Sequence, residues 1–213
     1  MNFRPSTFDT TLQGMLHKLK MVQAITQNLE NVNSIGYKRQ IPESMSFGSI
    51  LNEITLKDTS EGPLKKTNNT FDMAIDGNGY FLVDADDGSL TQTRNGNFRL
   101  NEKGELATQD GKKVVVIERS DKPVSLASDF DIKINENGEI FVGMERYGRI
   151  AMKIMDNKPV KIHQGFVEGS NIDLGKEMAT LMMTFRSFEA LEKSLGMEAG
   201  LDKELIEKYG RNV

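Results

Sequence analysis

The sequence predicts an α+β fold: long N- and C-terminal helices pairing as an antiparallel coiled-coil-like stem, with a β-rich middle domain of short strands and hairpins. Three observations predict it. The prolines, Pro5, Pro42, Pro63, Pro123 and Pro159, leave residues 6–41 and 160–213 without the residue that breaks helix interiors. Eleven of the 19 glycines fall between Gly62 and Gly165, so the middle is where the chain turns most often. Both ends carry large apolar residues every three or four positions, the spacing of a helix face. The expected division is an N-terminal helical segment 1–40, a linker 41–61, a β-rich domain 62–165 and a C-terminal helical segment 166–213.

In the first segment Leu12, Met15, Leu19, Val22 and Leu29 form one stripe, interrupted only at Thr26, with Leu16, Ile25 and Val32 widening it. The second repeats the pattern with Leu174, Met178, Leu181, Phe185 and Phe188, continued by Leu191 and Leu195. Such seams pack against another helix, and burying each side chain is worth about 1.5–3 kcal/mol. The expected helices cover about 8–32 and 174–195, seam on seam, with Leu16, Ile25 and Leu191 left for neighbouring subunits. Gly196 and Gly200 predict a bend or break beyond them, since a helical glycine costs about 1 kcal/mol against alanine. Met15, Met178, Met182 and Met183 suit surfaces that repack, and they suit an ordinary core equally well.

Between the ends, the pairs Asp76-Gly77, Asp87-Gly88, Asn95-Gly96, Asp110-Gly111 and Asn137-Gly138 separate short alternating runs, the signal for hairpins. Two segments echo each other: FRLNEKGELA from Phe98 and IKINENGEIF from Ile132. Each reads as strand, Asn-Glu-x-Gly-Glu turn, strand, with Gly104 and Gly138 at positive φ. These strands and turns form a complete local code, so residues 62–165 are expected to fold without either end.

Composition narrows the function. A net charge of −4 gives no electrostatic reason to bind nucleic acid or an anionic membrane. No run approaches the ~20 apolar residues of a spanning helix. The start MNFRPSTFDT lacks the apolar region of a cleaved secretory signal. Cysteine is absent, which removes disulfides and thiolate metal sites together.

Catalytic chemistry finds little support. His17 and His163 have no partners at ligand or triad spacing. The run Asp84-Ala-Asp-Asp-Gly88 has its glycine one place early for a calcium loop and Asn95 where the twelfth-position glutamate belongs, so a hairpin tip is the better reading. Asp76-Gly-Asn-Gly79 lacks the third glycine, the following helix and the Lys-Ser/Thr pair of a phosphate loop. The charge run Glu204-Leu-Ile-Glu-Lys-Tyr209 reads as a solvated helix face. No catalytic, cofactor or metal site is expected, and the chain is read as no enzyme.

The string Gln27-Asn-Leu-Glu-Asn-Val-Asn-Ser-Ile-Gly-Tyr-Lys-Arg39 reads locally as a polar helix end. Gly36 is suited to stopping a helix, Asn31, Asn33 and Ser34 to building a turn, and Lys38 and Arg39 to the negative end of the dipole. As a whole it resembles the Asn-Asn-Leu-Ala-Asn-x-x-Thr-x-Gly-Tyr/Phe-Lys-Arg signature of bacterial flagellar rod and hook proteins. Gln27, Glu30 and Ser34 stand where that family has Asn, Ala and Thr. The block from Gly62 to Val83, with Asp-Met-Ala-Ile-Asp-Gly-Asn-Gly-Tyr-Phe, resembles the family's Asp-x-Ala-Ile-x-Gly-x-Gly-Phe-Phe segment. Thr93-Arg-Asn-Gly-Asn-Phe98 resembles its Thr-Arg-x-Gly-x-Phe hairpin. Gln164-Gly-Phe-Val-Glu-Gly-Ser-Asn-Ile-Asp173 and Met182-Met-Thr-Phe-Arg-Ser-Phe-Glu-Ala190 resemble its C-terminal pattern. The likeness thins over 112–162.

The resemblance implies a structural subunit of the flagellar basal-body rod, polymerising through its terminal helices into the axial structure that transmits torque. It implies partners that are copies of this chain and homologous rod or hook subunits, and passage through the flagellar type III export apparatus to the rod in the periplasmic space. The segment from Arg39 to Gly62 is shorter than in typical distal-rod proteins, and the middle has no room for the hook's extra outer domain, which favours rod over hook. The expected assembly interface is Leu12, Met15, Leu19, Val22, Leu29, Leu174, Met178, Leu181, Phe185, Phe188 and Leu195. The matching signature residues are Asn28, Leu29, Asn31, Gly36, Tyr37, Lys38, Arg39, Gly77, Gly79, Arg94, Gly96, Gly165, Ser170 and Asn171. The alternative from the residues alone is a monomeric β-rich binding module whose terminal helices clasp its own core.

Overall fold

A computed structural model describes residues 7–42, 55–84, 88–117, 131–156 and 158–210. The first helix, α1, is Thr7–Glu30, followed by β1 (Gln40–Pro42), β2 (Thr55–Lys57) and β3 (Leu64–Lys66). Then come β4 (Met73–Asp76), β5 (Gly79–Asp84), β6 (Leu90–Thr93), β7 (Phe98–Leu100), β8 (Leu106–Thr108), β9 (Lys113–Val114) and β10 (Val116–Ile117). The remaining strands are β11 (Ile132–Ile134), β12 (Glu139–Val142), β13 (Glu145–Ile150), β14 (Met152–Ile154), β15 (Lys161–Gln164) and β16 (Phe166–Glu168), and α2 spans Leu174–Gly210. The described residues divide into two compact units. A helical unit draws on 1–30, 40–57 and 173–213, and a β unit on 31–39 and 58–172.

In the β unit, β5 is the most connected strand. It pairs with β6 along one edge and with β14 and β9 along the other, within a sheet ordered β14-β5-β9-β8-β7. Its residues alternate between buried and half-buried, as a strand with one face on a core must. A second sheet runs β10-β13-β12-β11, and two short pairs, β15 with β4 and β16 with β3, tie the C-terminal strands to the early ones. Met73, Ile75, Phe81, Phe98, Leu106, Ile140, Ile150 and Ile162 lie in one core cluster. Phe81 and Phe98 meet edge to face at 5.1 Å, the arrangement the ring quadrupoles favour.

The two echoed segments fold alike, down to individual atoms. β7–β8 and β11–β12 are antiparallel hairpins, with Gly104 at φ 71° and Gly138 at φ 81°. Asn101 Oδ1 accepts the N–H groups of Lys103 and Glu105 at 2.9 Å each. Asn135 Oδ1 accepts those of Asn137 and Glu139 at 3.1 and 2.9 Å. Each asparagine folds its side chain over its own turn, a local solution that needs no distant residue. Gly104→Val and Gly138→Val are each expected to cost about 1–3 kcal/mol, because a β-branched residue resists positive φ. Thermal melts of the two variants check this, and parental melting of both would remove the turn argument.

The helical unit corrects the fold expectation. Two helices and a mainly β middle are present among the described residues, but no seam-on-seam coiled-coil-like stem. Leu12, Leu19, Leu174, Met178 and Phe185, placed at the centre of the stem, are exposed. The buried residues of α1 are instead Thr11, Ala24, Ile25 and Asn28, and those of α2 are Glu177 and Thr184. Gly14 faces Leu191, whose Cδ1 lies 3.3 Å from where a Gly14 side chain would begin. The buried face of α1 is thus about one residue around from the predicted stripe, and it mixes small residues (Thr11, Gly14, Ala24) with Ile25 and Asn28. Counting only large apolar side chains cannot see such a face. Ile25, assigned to neighbouring subunits, is 3% exposed, and Leu191 turns inward with it.

α2 also runs on where a bend or break was expected, unbroken through Gly196 and Gly200 to Gly210. Two isolated glycines cost about 2 kcal/mol of propensity, which the Leu, Met, Glu, Ala and Lys residues around them offset. Asp173 caps its start: Oδ1 accepts the Lys176 N–H at 3.1 Å and holds the Asp173 carboxyl below its usual range. Residues 85–87, the tip of the Asp84–Gly88 run, and most of the 41–61 linker lie outside the described residues.

Candidate functional site: a buried ion triad and outward helix faces

Glu168, at the end of β16, is 1% exposed. Its Oε1 accepts from Lys38 Nζ at 2.7 Å and from the Gly62 N–H at 2.8 Å, and its Oε2 accepts from Arg94 Nε at 2.6 Å. Burial raises the Glu168 pKa, but the hydrogen bonds from Arg94, Lys38 and Gly62 outweigh it and leave the carboxyl below its ordinary value. Both cations are buried too and spend their remaining donors on backbone. Lys38 Nζ reaches the Ser60 carbonyl at 2.6 Å, and Arg94 Nη1 reaches those of Gly77 and Gly79 at 2.7 and 2.6 Å. A buried charge is tolerable when it is paired and hydrogen-bonded, and each member of this triad is both.

The backbone closes in around the triad. Gly36, at φ 67°, donates its N–H to the Glu168 carbonyl at 2.7 Å. Any side chain on Gly36 would fall on the backbone of Arg94 and Asn95, and one on Gly96 would fall on the Met73 carbonyl. Gly36 is therefore not a helix stop. α1 ends at Glu30, six residues earlier, and Gly36 is a glycine by close approach.

Two asparagine side chains pin consecutive residues. Asn171 Oδ1 accepts the Arg39 N–H at 2.7 Å, and Nδ2 donates to the carbonyls of Asp58 and Ser60 at 3.0 Å each. Within the helical unit, Asn28 Oδ1 accepts the Gln40 N–H at 2.8 Å and Nδ2 donates to the Gln40 carbonyl at 2.9 Å. A side-chain amide carries an acceptor and donors side by side, so it can meet a backbone N–H and C=O together. The Ser60 N–H and hydroxyl hold Asp58 below its usual carboxylate range.

Sequence comparison bears on the same residues. Residues 74–142 match a profile described as the flagellar hook protein FlgE/F/G D1 domain, and residues 163–207 match the flagellar basal body rod FlgEFG protein C-terminal region. Together they cover more than half of the chain. The flagellar basal-body rod protein FlgF of Mesorhizobium japonicum is 28% identical over 90% of this chain and 92% of its own. The chain belongs to the flagellar rod and hook family. The rod protein FlgG of Buchnera aphidicola (subsp. Schizaphis graminum) is 25% identical, covering 82% of this chain and 88% of its own. The hook protein FlgE of Brucella abortus is 31% identical, but over only 48% of this chain and 28% of its own.

The rod-family signature can now be read as geometry. Gly36, Lys38, Arg39, Gly77, Gly79, Arg94, Gly96 and Asn171 come together around the triad. Gly165, at φ 77°, accepts the N–H groups of Thr67 and Asn68, and Ser170 is buried beside Asn171. Asn31 belongs to the turn with Ser34, whose Oγ donates to Asn31 Oδ1 at 2.9 Å. The Tyr37 N–H reaches back to the Ser34 carbonyl, while Leu29 is half-buried. Glu168 is the residue that sequence reasoning missed. No local signal marks it, because Lys38 stands beside Arg39 and Gln40, and Arg94 between Thr93 and Asn95, where a charged residue is ordinary.

The expected interface residues divide by exposure. Leu12, Leu19, Leu174, Met178 and Phe185 are exposed, whereas Met15, Val22, Leu29, Leu181, Phe188 and Leu195 are half-buried. Leu16, Met182 and Met183 join the exposed set, Met183 at 68%. Among the described residues no group of three His, Cys, Asp or Glu is placed to hold a metal ion. His163 Nε2 lies 3.3 Å from Asp76 Oδ2 on the surface. No helix is long and apolar enough to cross a membrane, among the residues described.

Proposed function

We infer that this chain is a structural, non-catalytic subunit of the flagellar basal-body rod, joining copies of itself and homologous rod or hook subunits through the outward faces of its two helices. The observation that supports this most directly is the exposure of Leu12, Leu16, Leu19, Leu174, Met178 and Phe185 on one compact unit. Leaving that many large apolar side chains in water costs several kcal/mol, and contiguous exposed apolar surface marks interaction sites. The same reading places the subunit in the axial rod, within the periplasmic space, after passage through the flagellar type III export apparatus. Family membership supports that placement.

Sedimentation velocity at rising concentration is the test. The parent chain is expected to shift to larger species, and Leu19→Asp or Phe185→Asp to stay monomeric with an unchanged β-unit melt. These side chains are exposed in the single chain, so a charge there is harmful only once a neighbour covers it. A parent chain that remains monomeric at every concentration overturns the proposal.

A further inference from the structure

Among the described residues, the strand β11 lies at the edge of its sheet, paired with β12 on one side and with no strand on the other. In its register with β12, Lys133 sits opposite Phe141, and the Asn135 N–H donates to the Glu139 carbonyl. Bonded pairs alternate along an antiparallel ladder. Lys133 therefore turns its peptide groups toward β12, while Ile132 and Ile134 turn theirs outward. An edge of that kind is a template for a strand from another molecule.

Two of these four outward groups are already taken, by one side chain. Gln164 Oε1 accepts the Ile134 N–H at 3.0 Å, and Gln164 Nε2 donates to the Ile132 carbonyl at 3.0 Å. Nε2 also donates to the Thr70 carbonyl at 2.9 Å, which fixes the amide's orientation. The spacing from Ile132 to Ile134 is what an added strand would use, and the Gln164 amide supplies the N–H and C=O that one residue of such a strand would present. We propose that Gln164 is a strand surrogate that closes the β11 edge against strand addition by β11 of a second copy. The inference goes beyond the rod reading and stands on the β unit alone. It matters most for a chain held at high local concentration, because an open edge then competes with every intended contact.

The test uses the full chain carrying Phe185→Asp, so that helix-mediated association does not obscure the result. Gln164→Met keeps the side-chain length and removes the amide. In the variant, hydrogen exchange at the Ile134 amide is expected to accelerate about fivefold or more, the effect of losing one net hydrogen bond, with Lys133 unchanged. Lys133 is exposed and the chain has no native cysteine, so Lys133→Cys reports on pairing of two β11 edges. Disulfide-linked dimer is expected to form at least about tenfold faster when Lys133→Cys is combined with Gln164→Met than when it stands alone. Gln164→Glu keeps the acceptor for Ile134 but presents a negative charge to an incoming carbonyl. It is expected to loosen the Ile132 contact without promoting dimer. Equal dimer formation with and without Gln164→Met overturns the proposal, whether or not Ile134 exchange changes. Loss of the β-unit melt in both Gln164 variants overturns it too, since Gln164 would then be a folding determinant and not a guard.

Discussion

Replacing Glu168 with alanine is expected to cost the β unit about 3–5 kcal/mol, the range for breaking a buried ion pair and orphaning its partner. Two cations lose their counter-ion at once, Lys38 and Arg94, both buried. Each is also tied to backbone, Lys38 to the Ser60 carbonyl and Arg94 to those of Gly77 and Gly79, so moving either one to solvent breaks further bonds. Glu168→Gln keeps the shape but turns an amide N–H toward one of the existing donors, so it is expected to recover little of the loss. Lys38→Met should cost less, since it leaves Arg94 and Glu168 as a satisfied pair. Urea unfolding followed by a β-unit signal measures all three, and equal stability of Glu168→Ala and parent would reduce the triad to an ornament of the fold. The pH dependence follows from the direction of the Glu168 shift. With the folded pKa lowered, its contribution is complete above the ordinary carboxylate value of 4.5 and is lost as pH falls through the folded value. Stability of the parent should fall below about pH 4.5 more steeply than that of Glu168→Gln.

Gly96→Ala is expected to be the most damaging single-methyl change, at about 4 kcal/mol or more, a range reached only when a specific feature is broken. The added carbon would overlap the Met73 carbonyl, while the Met73 N–H already donates to the Gly96 carbonyl at 2.9 Å. Both segments are backbone, so no side chain can swing aside. Gly111→Ala is the control. It sits at φ 92° with nothing within 4 Å of the added carbon, so it incurs only the conformational term of about 1–3 kcal/mol. Thermal melts of the two variants separate clash from strain, and similar losses in both would mean that the Gly96 approach relaxes freely.

What the sequence made legible was what it encodes locally. The hairpins at Asn101–Glu105 and Asn135–Glu139 were readable because the asparagine, the glycine and the flanking alternation all lie within ten residues. The terminal helices were readable from period and missing proline, but not their contact face, because Thr11, Gly14 and Ala24 carry no hydrophobic signal. Gly36 looked like a helix stop because the residues it approaches, Arg94 and Asn95, are far away in the chain. The triad was hidden for the same reason. Lys38, Arg94 and Glu168 each look ordinary alone, and only the fold shows that two positive charges share one negative.

The boundaries have an experimental consequence. A fragment covering 62–165 retains Arg94 but lacks both Lys38 and Glu168, whereas the β unit takes in 31–39 and continues to 172. The shorter fragment is expected to melt well below one in which residues 31–172 are all present.

The triad also bears on how the chain is made. Its bonds join positions 130, 106 and 74 residues apart, and Glu168 is the last of them to be synthesised. Local hairpins can close as they emerge, but this contact waits for most of the polypeptide and for the closure of its longest loops. Until then Lys38 and Arg94 are cations with no interior to enter. Premature termination upstream of residue 168 therefore yields a product that cannot bury them, however complete its strands. Completion of the β unit is in this sense a report that translation has passed the start of the second helix's approach, written in charge.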